Sequence, residues 1–405
     1  MIRRTLPLLA AFLGTGLALA QAPDPLENFI ARALERSPKV RAAREVVEAM
    51  RLGHASVRSG ANPRVELAPG LGFTNGSLAL SQELDLFGSR AARSRVAEAE
   101  ARLAETRWLA AGLDQAGRVL ADLVALEAAS ELAQAARDSA DLARELLAIV
   151  EKRTEIGEVP RIQVTRAELE VLRAEQAARR HVAERERSEA ALRSLVGPDA
   201  VVSIPPLDLG DRVARSKAMP ARSPETLTRA VAVEVAMAQA RAVAASGRPS
   251  LTAGMASDVW SLDRRAMTSS NLGFQVFLSA PLVDRGENRN AVAAARAEAK
   301  AAESELAEAQ RIADLSKQSA LTMLQAAESI FAAYRADALP KAEALLSAMR
   351  EGYKAGLVTL VEVIEAQQTL ADLRRERAEA LLALREAELA LLAATLALPG
   401  VEVPR

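Results

Sequence analysis

Ser77 to Glu105 reads SLALSQELDLFGSRAARSRVAEAEARLAE, and its period changes part-way along. Up to Leu86 it alternates, with Leu78, Leu80, Leu84 and Leu86 on one face of an extended strand. Beyond Gly88 the spacing of Ala91, Arg95, Ala99 and Leu103 suits a long helix. A period of two giving way to one near 3.6 marks a strand that feeds directly into a helix. The same transition recurs in Asn271 to Glu303, NLGFQVFLSAPLVDRGENRNAVAAARAEAKAAE, with Gly88 falling on Gly286 and Leu84 on Leu282 at an offset of 198. The chain is a duplicated unit.

Outward from this pair, each copy repeats one order: helix, strand, strand, very long helix, turn, helix. In the first copy, Pro25 to Ser59 reads as one helix, ended by Gly60 and Pro63. Arg64 to Phe73 alternates Val65, Leu67, Pro69, Leu71 and Phe73 against small or polar residues, and Asn75-Gly76 signals a tight turn into Ser77 to Leu86. Strands of about ten residues match a tilted crossing of a bilayer, and apolar alternating with polar suits a barrel wall; a soluble hairpin packed on a helix has the same pattern. Pro69 counts against a strand interior.

From Leu86 to Glu155 the chain stays helix-compatible without a proline, a rod of about 100 Å at 1.5 Å per residue. Gly157 to Arg161, GEVPR, turns it back, and the return helix stops at Gly197-Pro198. The domain reading is a first repeat over 21–203 with its hairpin at 64–86, a linker over 204–222, a second repeat over 223–398 with its hairpin at 250–283, and a tail over 399–405. The second copy's loop, Asp258 to Ser270, is longer than its counterpart and carries Trp260, either an interfacial anchor or an ordinary loop residue. Its long helix is interrupted by Pro340 and ends in GYKAGLVTL, Gly352 to Leu360, from which Val361 to Leu396 returns.

Composition agrees with long rods. Half of the 405 residues are hydrophobic but only 3% are aromatic, a bias toward helices packed through small side chains. With 52 basic and 53 acidic residues, nothing favours nucleic acid as a partner. There is no cysteine, hence no disulfide, thiolate metal site or Cys nucleophile. His54 and His181 lie far apart and read as helix-surface residues before ligands. HExxH, GxSxG and Walker sequences are missing, so the reading is no enzyme and no cofactor. Residues 1–20, with Arg3-Arg4, an apolar core and Ala18-Leu19-Ala20, read as a cleaved secretory signal. No later run holds the ~20 apolar residues of a membrane helix, so a membrane span is expected from strands.

The duplicated plan, the signature LSQELDLFG, and Tyr353-x-x-Gly356 followed by VEVIEAQQTL resemble TolC-type outer-membrane efflux proteins over nearly all of the mature chain. The resemblance implies a mostly α fold with a small β part: a homotrimer whose four strands per chain make one twelve-stranded β-barrel in outer-membrane lipid, above a long α-helical coiled-coil barrel through the periplasm. It implies a passive exit duct, partnered by a periplasmic adaptor protein and an inner-membrane transporter, in a tripartite efflux pump or a type I secretion system. Tyr353 matches a tyrosine, and Glu362 and Glu365 acidic positions, that constrict the tunnel in that family. Val358 stands where the family carries an arginine. Gly157, Gly356 and Leu357 are the candidate adaptor contacts. Independently of the resemblance, Glu362 and Glu365 share a helix face, and threefold symmetry would stack them as two carboxylate rings favouring cations. The same residues also read as a solvated face, since 53 carboxylates give many such pairs. The sequence allows two other classes of protein, a secreted periplasmic coiled-coil scaffold or adaptor and a periplasmic enzyme or binding protein, for which no site is seen.

Overall fold

The computed structural model describes residues 25–68, 76–197, 207–260, 272–279 and 285–401. The element order is α1 (Pro25–Arg36), α2 (Pro38–Ser59), β1 (Arg64–Ala68), β2 (Gly76–Leu84), α3 (Ser89–Glu155), α4 (Ile162–Val196), α5 (Gly210–Ala218), α6 (Pro224–Ser246), β3 (Ser250–Trp260), β4 (Leu272–Ser279), α7 (Glu287–Ala333), a π-helical turn (Tyr334–Ala338), α8 (Leu339–Lys354) and α9 (Leu360–Ala394). The signal reading at 1–20, Pro69 and most of the Asp258–Ser270 loop lie outside the described residues.

The two rods that follow the hairpins start alike. Gly88 (φ 79°) and Gly286 (φ 102°) cap α3 and α7 in left-handed conformations that a Cβ disfavours. Asp85 accepts from the Ala91 N–H at 3.3 Å, a donor that the first turn of α3 leaves unpaired, and from the Ser89 hydroxyl at 3.2 Å. From there α3 runs 67 residues, about 100 Å, straight through Gly112 and Gly117. The two far turns also match. Glu158 N–H reaches Arg153 C=O at 2.9 Å and Leu357 N–H reaches Gly352 C=O at 2.8 Å, each around a left-handed glycine, Gly157 (φ 76°) or Gly356 (φ 74°). Both are Schellman-type endings.

The strands form one antiparallel sheet in the order β1-β2-β3-β4, so the hairpins of the two copies are joined through β2 and β3. Register places Val65, Leu80, Met255 and Phe274 in one row across the sheet, and Leu84, Leu251 and Leu278 in another on the same face. The intervening rows hold Glu66, Ala79, Ala256 and Gly273, then Arg64, Ser81, Gly254 and Gln275. One face is mostly apolar and solvent-exposed, with Phe274 82% and Val65 67% accessible; Gln82 and Ser257 are polar residues on it. β3 extends to Trp260, so Asp258 to Trp260, expected in a loop, continue the strand.

Two apolar cores divide the rods. The larger gathers Leu26 and Ile30 of α1, Val119 to Val124 of α3, Leu324 of α7 and Leu391-Leu392 of α9. The smaller lies toward the far turns, around Leu146, Val150, Leu346, Tyr353, Leu360 and Val363. Between them α3 and α9 carry buried alanines such as Ala133, Ala140 and Ala378, and Arg385–Glu127 and Arg377–Glu131 ion pairs tie the two helices.

Three further segments differ from the sequence reading. Pro25–Ser59 is two helices, because Ser37 precedes Pro38 and takes ψ 118°, outside the α region that proline's ring denies its predecessor. Segment 204–222, expected as a linker, carries α5, whose Val213 joins Leu207 and Leu209 in the larger core; the surrounding Arg, Asp and Lys residues mask that short apolar pattern. At Pro340 the rod is not broken. A π turn lets Leu339 N–H reach back five residues to Tyr334 C=O, absorbing the bond that proline cannot donate.

Candidate functional site: the turn end of the rods

At the far end of the rods, the α3–α4 and α8–α9 turns lie side by side, tied by residues from both repeats. Arg153, in the last turn of α3, donates through Nη1 to the Tyr353 carbonyl and through Nε to Glu158 at 2.9 Å. Its guanidinium sits 4.7 Å from the centre of the Tyr353 ring, a cation–π contact. The Tyr353 hydroxyl donates to Gln163 Oε1 on α4 at 3.0 Å. Burial raises the Tyr353 phenol above its usual range, against the opposing pull of Arg153, so it remains a neutral donor. Gly352 permits the close turn: a Cβ there would lie 2.6 Å from Val358 Cγ2.

Tyr353 is the residue that the resemblance matches to a constricting tyrosine. In the single chain its ring is 2% exposed and belongs to the smaller core. It clamps the two turns together and presents no aromatic surface. Arg153 and Gln163, which sequence reading missed, complete that clamp. A guanidinium is thus present, although Val358 occupies the position where the resemblance implies an arginine. The signal for Arg153 was weak: it is one of many arginines on a charged rod, distinguished only by preceding a helix-ending glycine.

Glu362 and Glu365 begin α9. Thr359 and Glu362 form a reciprocal capping box, the Thr359 N–H donating to Glu362 Oε2 at 2.7 Å and the Thr359 hydroxyl to the same oxygen at 2.8 Å. These two donors, the amide first, hold the Glu362 carboxyl below its ordinary range. Glu365 is exposed one turn on, and its side chain makes no hydrogen bond or ion pair among the described residues. Both carboxylates therefore face solvent in the single chain, and one of them already serves the backbone.

Leu357 is 84% exposed at the tip, and Ile156 on the neighbouring turn is 70% exposed, an apolar companion that the sequence did not single out. Gly157 has open space where a Cβ would be, and Gly356 only Arg153 Nη2 at 3.7 Å. Beside these tips, a groove of about 320 Å³ runs between α3, α8 and α9, floored by Leu142, Ile149, Leu346 and Leu370 and edged by Arg350 and Arg374. Among the described residues no group of three His, Cys, Asp or Glu is placed to hold a metal ion, and no helix is long and apolar enough to cross a membrane.

Two repeats, joined hairpins with an exposed apolar face, and long rods ending in clamped turns define the architecture of an outer-membrane channel protein. The chain matches the outer membrane efflux protein family over residues 29–198 and 217–395, and it belongs to that family. No curated protein matches it in sequence. Its fold is similar to that of a membrane protein from Pseudomonas aeruginosa (19% identity, TM-score 0.75, covering 92% of this chain and 90% of that one). It is also similar to the outer membrane protein VceC from Vibrio cholerae (18%, 0.74, 93% and 97%). The Campylobacter jejuni CmeC outer membrane channel is a third such structure (15%, 0.74, 94% and 87%). The protein is an efflux channel of the outer membrane that extends into the periplasm, mostly α with a small β part.

Proposed function

We propose that three copies assemble into a passive exit duct, a twelve-stranded barrel continued by a helical tunnel, which receives cargo from an inner-membrane transporter through a periplasmic adaptor. The observation that carries this reading is the open four-stranded sheet. Its apolar face is exposed, and β1 and β4 each have an unpaired edge among the described strands. In lipid an open edge leaves backbone groups without partners, so only closure with further strands is stable there. β1 and β4 run antiparallel, so β4 of one copy can pair with β1 of the next and continue the alternation around a ring.

The tips carrying Gly157, Gly356 and Leu357 are the proposed adaptor contacts, in a tripartite efflux pump or a type I secretion system. Exposed Leu357 and Ile156 supply an apolar anchor at the end of charged rods. Glu362 and Glu365, on the helices that leave the tips, are the proposed gate and selectivity residues. Tyr353 acts with them by holding the turns together through Gln163 and Arg153. Membrane fractionation and electrophoresis in SDS with and without heating test the assembly. A heat-sensitive trimer in the outer-membrane fraction is expected; a soluble periplasmic monomer would overturn the reading.

A further inference from the structure

The internal repeat specifies which helices meet between copies. Within one chain, β2 pairs with β3, and the helices attached to them, α3 after β2 and α6 before β3, pack together. Their contact has a small apolar centre, Ala99 of α3 with Val235 and Ala238 of α6, and a flanking ion pair, Arg102 Nη1 to Glu234 Oε2 at 3.4 Å. α3 is thus flanked by α2 as well as α6, whereas α7, packed on α6 and farther along on α9, has no such neighbour in the place of α2, and the outer face of α2 is uncovered.

The equivalent of the β2–β3 seam at the sheet's open edges is β4 of one copy beside β1 of the next. That places α7, which follows β4, against α2, which precedes β1. The sequence supports the match position by position. α3 falls on α7 at an offset of 198, Gly88 on Gly286; α6 falls on α2 at an offset of 186, Ser223-Pro224 on Ser37-Pro38 and Pro249 on Pro63. Val233 and Val47 coincide and both are buried, which fixes the rotation of the two helices alike. At these offsets Arg102 becomes Lys300 and Glu234 becomes Glu48, so both charge signs are kept. Ala99 becomes Ala297, Val235 becomes Ala49 and Ala238 becomes Leu52. Ala238 is 8% exposed, yet its counterpart Leu52 is 63% exposed, and Ala297 and Lys300 also face solvent in the single chain.

We infer that the outer face of α2 docks on α7 of a second copy, with Leu52 packing against Ala297 and Glu48 pairing with Lys300, repeating the α3–α6 contact between chains. The inference rests on the trimeric reading above. It adds a register and a pair of faces that trimerisation alone does not require. The ion pair is solvent-facing, so its role is to select the register; the apolar seam contributes most of the stability.

The chain contains no cysteine, so introduced pairs report without background. Leu52→Cys combined with Ala297→Cys, oxidised in membranes, is expected to link neighbouring copies and leave covalent oligomers after heating in SDS without reductant. Leu52→Cys with Ile312→Cys, about 20 Å farther along α7 at 1.5 Å per residue, is expected to give none. An unheated trimer without the Leu52–Ala297 link, or with equal linkage in the control pair, overturns this pairing while leaving the trimer intact. Loss of any trimer from the unmodified chain overturns the assembly itself, and this inference with it. As an independent readout, Glu48→Lys is expected to lower the temperature at which the trimer dissociates, and adding Lys300→Glu to restore it; a double variant no better than the single one overturns the Glu48–Lys300 pair.

Discussion

The hydroxyl of Tyr353 donates to Gln163 Oε1 at 3.0 Å, joining two residues 190 positions apart in the chain. With Arg153 stacked on the same ring and bonded to its carbonyl, this contact fastens the turn end of one repeat to that of the other. A hydrogen bond of this kind contributes about 0.5–1.5 kcal/mol, enough to shift an opening equilibrium without unfolding the rods. Tyr353→Phe keeps the packed ring and removes only that bond. Its single-channel conductance in planar bilayers is expected to exceed that of the parent, with Arg153→Ala increasing it further. Conductance unchanged in both variants would show that the clamp does not restrain the channel.

The Glu362 carboxyl is held below its ordinary value of about 4.5 by the Thr359 amide and then the Thr359 hydroxyl. A depressed folded value means that the carboxylate favours the capped state. This contribution is fully present above about pH 4.5 and is lost as pH falls through the lower folded value. Amide exchange at the start of α9 should therefore accelerate below pH 4.5, after correction for intrinsic rates. Glu362→Gln should flatten that acid dependence; a retained dependence would assign it to another group.

Glu365 is exposed, and no described partner neutralises its carboxylate, so in a threefold assembly it is the more available of the two charges. Glu365→Gln is expected to lower cation-over-anion permeability several-fold, read as a reversal potential in a salt gradient, because a ring of carboxylates favours cations through a narrow pore. Glu362→Gln is expected to have a smaller effect, since two Thr359 donors already attenuate its charge. An unaltered reversal potential for Glu365→Gln would remove that residue from the conduction path.

Phe274 and Gln275 are sequence neighbours on opposite faces of β4, in the rows of Leu80 and Ser81 respectively. Phe274→Arg places a charge on the lipid-facing side, at a cost of about 2–4 kcal/mol near the bilayer centre. It is expected to reduce assembly into outer-membrane vesicles sharply. Gln275→Arg, directed to the interior, is expected to assemble normally. Equal losses would sink the assignment of the two faces.

Much of the fold was legible because its signals are local. Period two turning to 3.6 at Gly88 and Gly286, and the glycine turns at 157 and 356, are set by each residue's own backbone freedom and its neighbours within a few positions. The break at Ser37-Pro38 and the helix inside 204–222 were less visible. In the first, a continuous apolar pattern crosses a proline boundary; in the second, a few leucines and one valine are scattered among charges.

The candidate site divides in the same way. Glu362 and Glu365 could be placed on one helix face from their spacing, and Leu357 at a turn from the glycine before it. The capping by Thr359, the burial of Tyr353, and its partners Gln163 and Arg153 could not be read this way. The last two come from another repeat, and burial depends on what packs from outside the segment.

By itself, then, the sequence determined a duplicated strand-to-rod unit, the alternating strand faces and the turns, because these follow from short-range sterics and periodicity. Only the tertiary structure decided that β2 pairs with β3, that Tyr353 is a clamp inside the chain, and that the outer faces of α2 and α7 are left uncovered. The physical reason is that pairing and burial depend on which distant surfaces meet, and a local period specifies a face without naming its partner.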